Sequence, residues 1–202
     1  MTKIKLCGLS RPCDIEAANR LKPDYIGFVF APKSKRFVTG EQAANLKQML
    51  DPAIKAVGVF VNEDPARIAS LLKDGVIDIV QLHGSETETD IKQLRGLTVK
   101  PIIKAFRVET EKDVGKAEGC TADHILLDSG AGTGRMFDWD LLRTFKRPYF
   151  LAGGLSPDNV GEAVKLLHPF AVDVSSGIET DGVKDKIKMA EFAAAVRKEE
   201  KV

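Results

Sequence analysis

The chain repeats one pattern from end to end: a short apolar run of strand length, then a stretch with amphipathic helical spacing. The runs are Ile4–Cys7, Tyr25–Phe30, Ile54–Val61, Ile77–Leu82, Pro101–Phe106, His124–Asp128, Tyr149–Ala152 and Phe170–Val174. Several are rich in β-branched or aromatic residues, as strands are. Their centres fall roughly 22–30 residues apart, the spacing of repeated βα units. Between them, Asp64-Pro65 offers an N-cap and a proline at the first helical position. Ser156-Pro157-Asp158-Asn159-Val160 repeats that signal ahead of Ala163, Val164, Leu166 and Leu167. Glu41–Leu50 and Lys186–Arg197 read as further amphipathic helices.

Strands alternating with helices imply a mostly parallel sheet. A doubly wound sheet usually has about five or six strands, whereas a closed barrel has eight. Eight runs favour an α/β fold of the (β/α)₈ type, a minimal TIM barrel forming one domain over residues 1–202. The lower size limit for such barrels is about 200 residues. At 202 residues the loops must be short, and any site must be built from the strand ends.

Composition narrows the function classes. Hydrophobic residues make up 44% and charged residues 29%, which is ordinary for a folded globular chain. No stretch approaches the roughly 20 apolar residues of a spanning helix, so no membrane partner is expected. The N-terminus carries no apolar run of the secretory kind. Lys and Arg total 30 against 29 Asp and Glu, a net charge of +1 that gives no sign of a nucleic-acid surface. The three cysteines, Cys7, Cys13 and Cys120, include no CxxC pair, so neither a disulfide framework nor a structural metal site is expected. A reducing cytoplasm is the expected compartment, and a monomer the expected state, with a dimer as the alternative.

In a barrel, chemistry sits at the C-terminal strand ends and in the loops that follow them. The first run ends in Cys7-Gly8, and the second leads into Lys33-Ser34-Lys35-Arg36. The fourth ends in Gln81-Leu82-His83-Gly84, and the sixth in Asp128 followed by the Gly-rich Ser129–Gly134. The last two end in Gly153-Gly154 and Ser175-Ser176-Gly177. A thiol, a guanidinium, an imidazole, a carboxylate and three Gly-rich turns thus converge on one rim. Barrels often bind phosphate with the loops after strands seven and eight, where glycine lets backbone N–H groups approach an anion. Gly153, Gly154, Ser175, Ser176 and Gly177 fall there, and otherwise merely close tight turns. Ser129–Gly134 lacks a P-loop lysine and reads as a loop able to order over substrate.

Each polar residue has two readings. Cys7 is either a small buried apolar residue or, with Lys5 and Arg11 nearby in sequence, a thiol tuned toward neutral pH that serves as a base or nucleophile. Asp128 either caps a loop or acts as an acid whose pKa is raised by desolvation. Arg36 belongs either to a solvated basic loop or to a bidentate clamp on a substrate carboxylate. His83 positions substrate or closes a turn. Asp173, inside the eighth run, faces the barrel mouth to orient a polar partner, or faces outward. His124 and His168 read as structural, and Cys13 and Cys120 as inert.

Taken in order, these pieces resemble the phosphoribosylanthranilate isomerase family of tryptophan biosynthesis. The resemblance runs nearly end to end: Lys5-Leu6-Cys7-Gly8, Gly27-Phe28-Val29-Phe30, Ser34-Lys35-Arg36-Phe37-Val38, Val80-Gln81-Leu82-His83-Gly84 and Leu127-Asp128. It continues through Gly132-Thr133-Gly134-Arg135, Leu151-Ala152-Gly153-Gly154-Leu155 and Asp173-Val174-Ser175-Ser176-Gly177. The departures are Leu9-Ser10 where the family often has Ile-Thr, Lys35 where Pro is common, and Ala131 where Gly is common. None removes a proposed catalytic group. The resemblance implies a (β/α)₈ barrel that performs an Amadori rearrangement of a phosphosugar, with Asp128 as general acid, Cys7 as general base and Arg36 on the anthranilate carboxylate. It also implies that the Gly153-Gly154 and Ser175-Ser176-Gly177 turns hold the phosphate. No cofactor is implied, because a protonated imine is its own electron sink. Two alternatives stay open: another phosphosugar isomerase, such as the imidazole-ribonucleotide isomerase of histidine biosynthesis, where an aspartate is expected in place of Cys7, and a binding barrel without turnover.

Overall fold

Eight parallel strands close into a barrel in strict sequence order. They are β1 (Lys3–Cys7), β2 (Tyr25–Val29), β3 (Lys55–Phe60), β4 (Ile79–Leu82), β5 (Ile102–Arg107), β6 (His124–Asp128), β7 (Tyr149–Ala152) and β8 (Ala171–Val174). The computed structural model describes residues 1–128 and 139–199. The Ser129–Gly134 loop and the Gly132–Arg135 motif lie outside the described residues. Each strand occupies the apolar run expected of it.

Helices α1 (Pro12–Leu21), α2 (Gly40–Met49), α3 (Pro65–Lys73), α4 (Glu88–Arg95), α5 (Glu111–Glu118), α6 (Val160–Leu167) and α7 (Lys186–Lys198) return the chain between strands and after β8. A 3₁₀ segment at Trp139–Thr144 precedes β7. The α3 signal reads as expected, since the Asp64 side chain accepts from the Ala66 N–H ahead of Pro65. Helix α6 starts later than its Ser-Pro signal suggests. The Asn159 side chain reaches back to the Ser156 N–H at 2.8 Å and to the Gly154 carbonyl at 2.9 Å, closing a turn before the helix begins. After β8 the chain adds a small hairpin, β9 (Glu179–Thr180) and β10 (Val183–Lys184), that periodicity did not announce.

Strand alternation sorts the side chains. Tyr25, Val57, Ile79, Ile103, Leu126, Phe150 and Ala171 pack against one another as a filled barrel interior. At the C-terminal ends of β1, β2 and β3, Cys7, Val29 and Val59 form a separate apolar patch. His124 stacks on Phe170 at 5.5 Å, at the opposite end of β6 from Asp128, and burial pushes its pKa down. His168 takes the left-handed conformation that ends α6. Both are structural, as expected.

An aspartate immediately before each of three even strands fastens it to the odd strand before it. Asp24 accepts the Ile4 N–H at 2.9 Å, Asp78 the Ala56 N–H at 2.8 Å and Asp123 the Ile102 N–H at 2.7 Å. The N-terminal face of the barrel is thereby stapled, leaving the other end for chemistry. Asp78 also holds Lys47 at 2.6 Å. Asp78→Ala leaves the Ala56 N–H without its acceptor, a loss of about 1–3 kcal/mol. Urea unfolding should show a lower midpoint with an unchanged slope; a wild-type midpoint would contradict the staple.

Candidate active site

At the C-terminal ends of the strands lies a cavity of about 380 Å³. Cys7, Arg36, His83, Asp128, Gly153, Gly154, Asp173, Ser175 and Ser176 all line it. Among the expected site residues, Gly177 is set apart. A side chain there would collide with the Leu155 carbonyl, so this glycine lets the two Gly-rich turns pack together. Gly153 and Gly154 both hold positive φ, at 93° and 64°.

The ring order sets who faces whom. Following β1 backward through β8 and β7 leads to β6, so Cys7 and Asp128 stand three strands apart across the mouth. The two glycine turns lie on the arc between them. Arg36, following β2, stands on the other side of Cys7.

Cys7 is 7% exposed. Its thiol projects toward β2, where Gly27 is its partner in register. A Cβ at Gly27 would sit 2.6 Å from Cys7 Sγ, so the missing side chain makes the space that the sulfur uses. Burial pushes the thiol pKa up from its ordinary value, while Lys5 and then Lys184 pull it down and Asp173 adds to the rise. The resting thiol is therefore not tuned to neutral, contrary to the expectation, because desolvation outweighs its cationic neighbours. Of the two cations near it in sequence, Arg11 is spent elsewhere. It holds Asp14 at 2.6 Å and the Lys184 carbonyl at 2.7 Å, outside the cavity.

Arg36 is already engaged. Its Nε and Nη2 donate to Glu179 Oε1 and Oε2 at 2.5 and 2.7 Å, a bidentate pair in which Nη1 takes no part. Lys184 Nζ donates to Glu179 at 2.5 Å and to the Ser175 carbonyl at 2.8 Å, tying the hairpin to the turn after β8. Despite burial, Arg36 and Lys184 hold the Glu179 pKa below its usual value. Glu179 and Lys184 have no site role in the sequence reading, because only the hairpin brings them back to the rim.

His83 Nε2 lies 3.4 Å from Asp128 Oδ2. The Gln81 amide nitrogen is 2.8 Å from His83 Nδ1. With the amide in that orientation Nδ1 accepts, and the Nε2 hydrogen points to Asp128. Gln81 is buried, lines the cavity and leaves its Oε1 without a partner among the described residues. Below, Glu86 accepts from the Asn62 and Gly84 N–H groups and pairs with Lys104 at 2.9 Å, bracing the loop that carries His83. The arrangement places a thiol and a carboxyl across a small cavity, with two glycine turns on the arc between them and a guanidinium beyond the thiol.

The family model described as N-(5'phosphoribosyl)anthranilate (PRA) isomerase matches residues 4–195. The chain belongs to that family. It is 47% identical to the N-(5'-phosphoribosyl)anthranilate isomerase of Endomicrobium trichonymphae, over 98% of this chain and 99% of that one. Its fold superposes on the crystal structure of phosphoribosyl anthranilate isomerase from Thermotoga maritima with a TM-score of 0.90 at 36% identity, over 98% of this chain and 100% of that one. A further phosphoribosyl anthranilate isomerase structure, with a TM-score of 0.88 and 36% identity over 98% and 100% of the two chains, is a complex with reduced 1-(o-carboxyphenylamino)-1-deoxyribulose 5-phosphate. Membership makes this chain an aldose–ketose isomerase of tryptophan biosynthesis. No helix among the described residues is long and apolar enough to cross a membrane.

Gly27 gives the family site a direct geometric check. Gly27→Ala forces the sulfur aside, and a displacement on the order of 1 Å costs about 10²-fold in rate. A kcat within twofold of wild type would show that Cys7 Sγ is not aimed as described.

Proposed function

We propose that the rim converts N-(5-phosphoribosyl)anthranilate to 1-(2-carboxyphenylamino)-1-deoxyribulose 5-phosphate, with Cys7 as general base and Asp128 as general acid. The observation that supports this is the placement of Cys7 and Asp128 across one cavity, with the glycine turns on the arc between them. Protonated Asp128 delivers its proton to the ribose ring oxygen, and the C1′–O bond breaks to give the iminium. The Cys7 thiolate then removes the C2′ proton. The C2′–H electron pair forms C1′=C2′, and the C1′=N pair returns to nitrogen. The enaminol tautomerises to the ketone. The iminium accepts the electrons, so the reaction calls for no metal or organic cofactor.

Backbone N–H groups around Gly153, Gly154, Ser175 and Ser176 would hold the phosphate, with Gly177 supporting their packing. The Nη1 edge of Arg36 would hold the anthranilate carboxylate while Glu179 keeps the guanidinium in place. Fixing both substrate ends presents C2′ to a set acid and base. His83 orients the Asp128 carboxyl. All these groups come from one chain, which supports a monomer as the working unit, acting on a cytoplasmic small-molecule substrate.

The loss of anthranilate-moiety fluorescence during turnover tests the assignment. Cys7→Ser should abolish measurable turnover while substrate still binds, since general base catalysis contributes about 10²–10⁴-fold. Near wild-type kcat in that variant would remove Cys7 from the role. Asp128→Asn should lower kcat by a similar factor. Arg36→Ala should mainly raise KM, and an unchanged KM would reject the carboxylate contact.

A further inference from the structure

Lys5 is a fully buried lysine inside the barrel, next to a layer of apolar side chains. Its ammonium meets both Asp173 oxygens at 2.9 Å. Burying such a pair is costly, and well-packed apolar residues can often replace it without loss of stability. Its position suggests a use. Lys5 and Cys7 are two apart on β1 and leave the same face of the strand. Lys5 is paired in register with Asp173 on β8, directly beneath the rim. The ammonium and the thiol act on each other electrostatically, each favouring the other's charged form. Burial disfavours its charge, yet Asp173 and Cys7 together hold its pKa above the ordinary value, so it stays protonated.

We propose that Lys5, anchored by Asp173, is the positioning residue that stabilises the Cys7 thiolate and aims it at C2′. The inference rests on Cys7 being the base. The thiol proton leaves to solvent through the open cavity. The thiolate takes the C2′ proton, becoming a thiol again, and Lys5 keeps its own protons throughout. Other charges face Cys7 as well: Asp173 from β8, Lys184 from β10 and Arg36 from the loop after β2, with Asp128 and His83 across the cavity. Asp173 opposes the thiolate, but it lies behind Lys5. Lys184 and Arg36 are bound to Glu179, which offsets their charge. Lys5 is the cation that shares a strand face with the sulfur.

The test is the pH dependence of Cys7 alkylation by iodoacetamide, followed by mass spectrometry in a Cys13→Ser background, beside the pH profile of kcat/KM. Removing a cation raises a thiol pKa. In Lys5→Met the alkylation midpoint should rise by at least about one unit, with about tenfold slower modification below both midpoints. Lys5→Arg should restore the midpoint toward wild type. A wild-type midpoint in folded Lys5→Met overturns the proposal. If Lys5→Met does not fold, Lys5→Met/Asp173→Leu replaces both charges by apolar groups. It should show a smaller upward shift, because Asp173 opposes the thiolate less than Lys5 supports it, and a midpoint at or below wild type there overturns the proposal. Alkylation needs no substrate, so the two readings fail separately. A moved midpoint without wild-type turnover of phosphoribosylanthranilate rejects the proposed function, whereas turnover with an unmoved midpoint rejects the role of Lys5.

Discussion

The Lys5–Asp173 ion pair lies on the seam where the first and last strands meet and the barrel closes. Barrel closure removes every sheet edge, and the register that permits it puts these two charges opposite each other in the interior. Cys7 is carried one inward position above Lys5, and Ser175 follows Asp173 by two. One pairing thus sets the height of the thiol and of the turn after β8 together. The N-terminal end is held by aspartate staples and packed side chains, so the opposite end can afford a hollow lined by polar groups.

The rim separates two tasks by the environment of each group. Cys7 stands in an apolar patch with Val29 and Val59, where desolvation opposes its charge and cations beneath and beside it restore part of the balance. Asp128 is more exposed and shares a hydrogen-bonding line with His83 and Gln81. A buried thiol among cations and a more exposed carboxyl beside an imidazole differ in environment in the way that sets an acid apart from a base.

Much of this is legible in the sequence. The eight apolar runs fall on the eight strands because parallel strands buried on both faces read as continuous hydrophobic runs. Cys7, Arg36, His83, Asp128 and the glycine turns were visible because a barrel gathers its strand ends on one face. The supporting groups were harder to read. Lys5 was legible as a cation near Cys7 in sequence, but only closure of β1 against β8 shows that it lies inside the barrel on Asp173. Glu179 and Lys184 reach the rim through a hairpin too short for periodicity to reveal. The depression expected for the Cys7 pKa assumed exposed cations close by; Arg11 instead serves the start of α1, and burial prevails. Asn159 delayed α6 because its side chain can close a turn in place of a helix cap.

The most direct test of the account is a crystal structure of this chain with the reduced product analogue carried by its relative. The account predicts phosphate oxygens on the backbone of the Gly153-Gly154 and Ser175-Ser176 turns and the carboxylate on Arg36. It predicts C2′ in contact with Cys7 Sγ while Asp128 faces the opposite side of the sugar. A pose with C2′ turned away from the sulfur, or with the phosphate on Lys33 and Lys35, would contradict it.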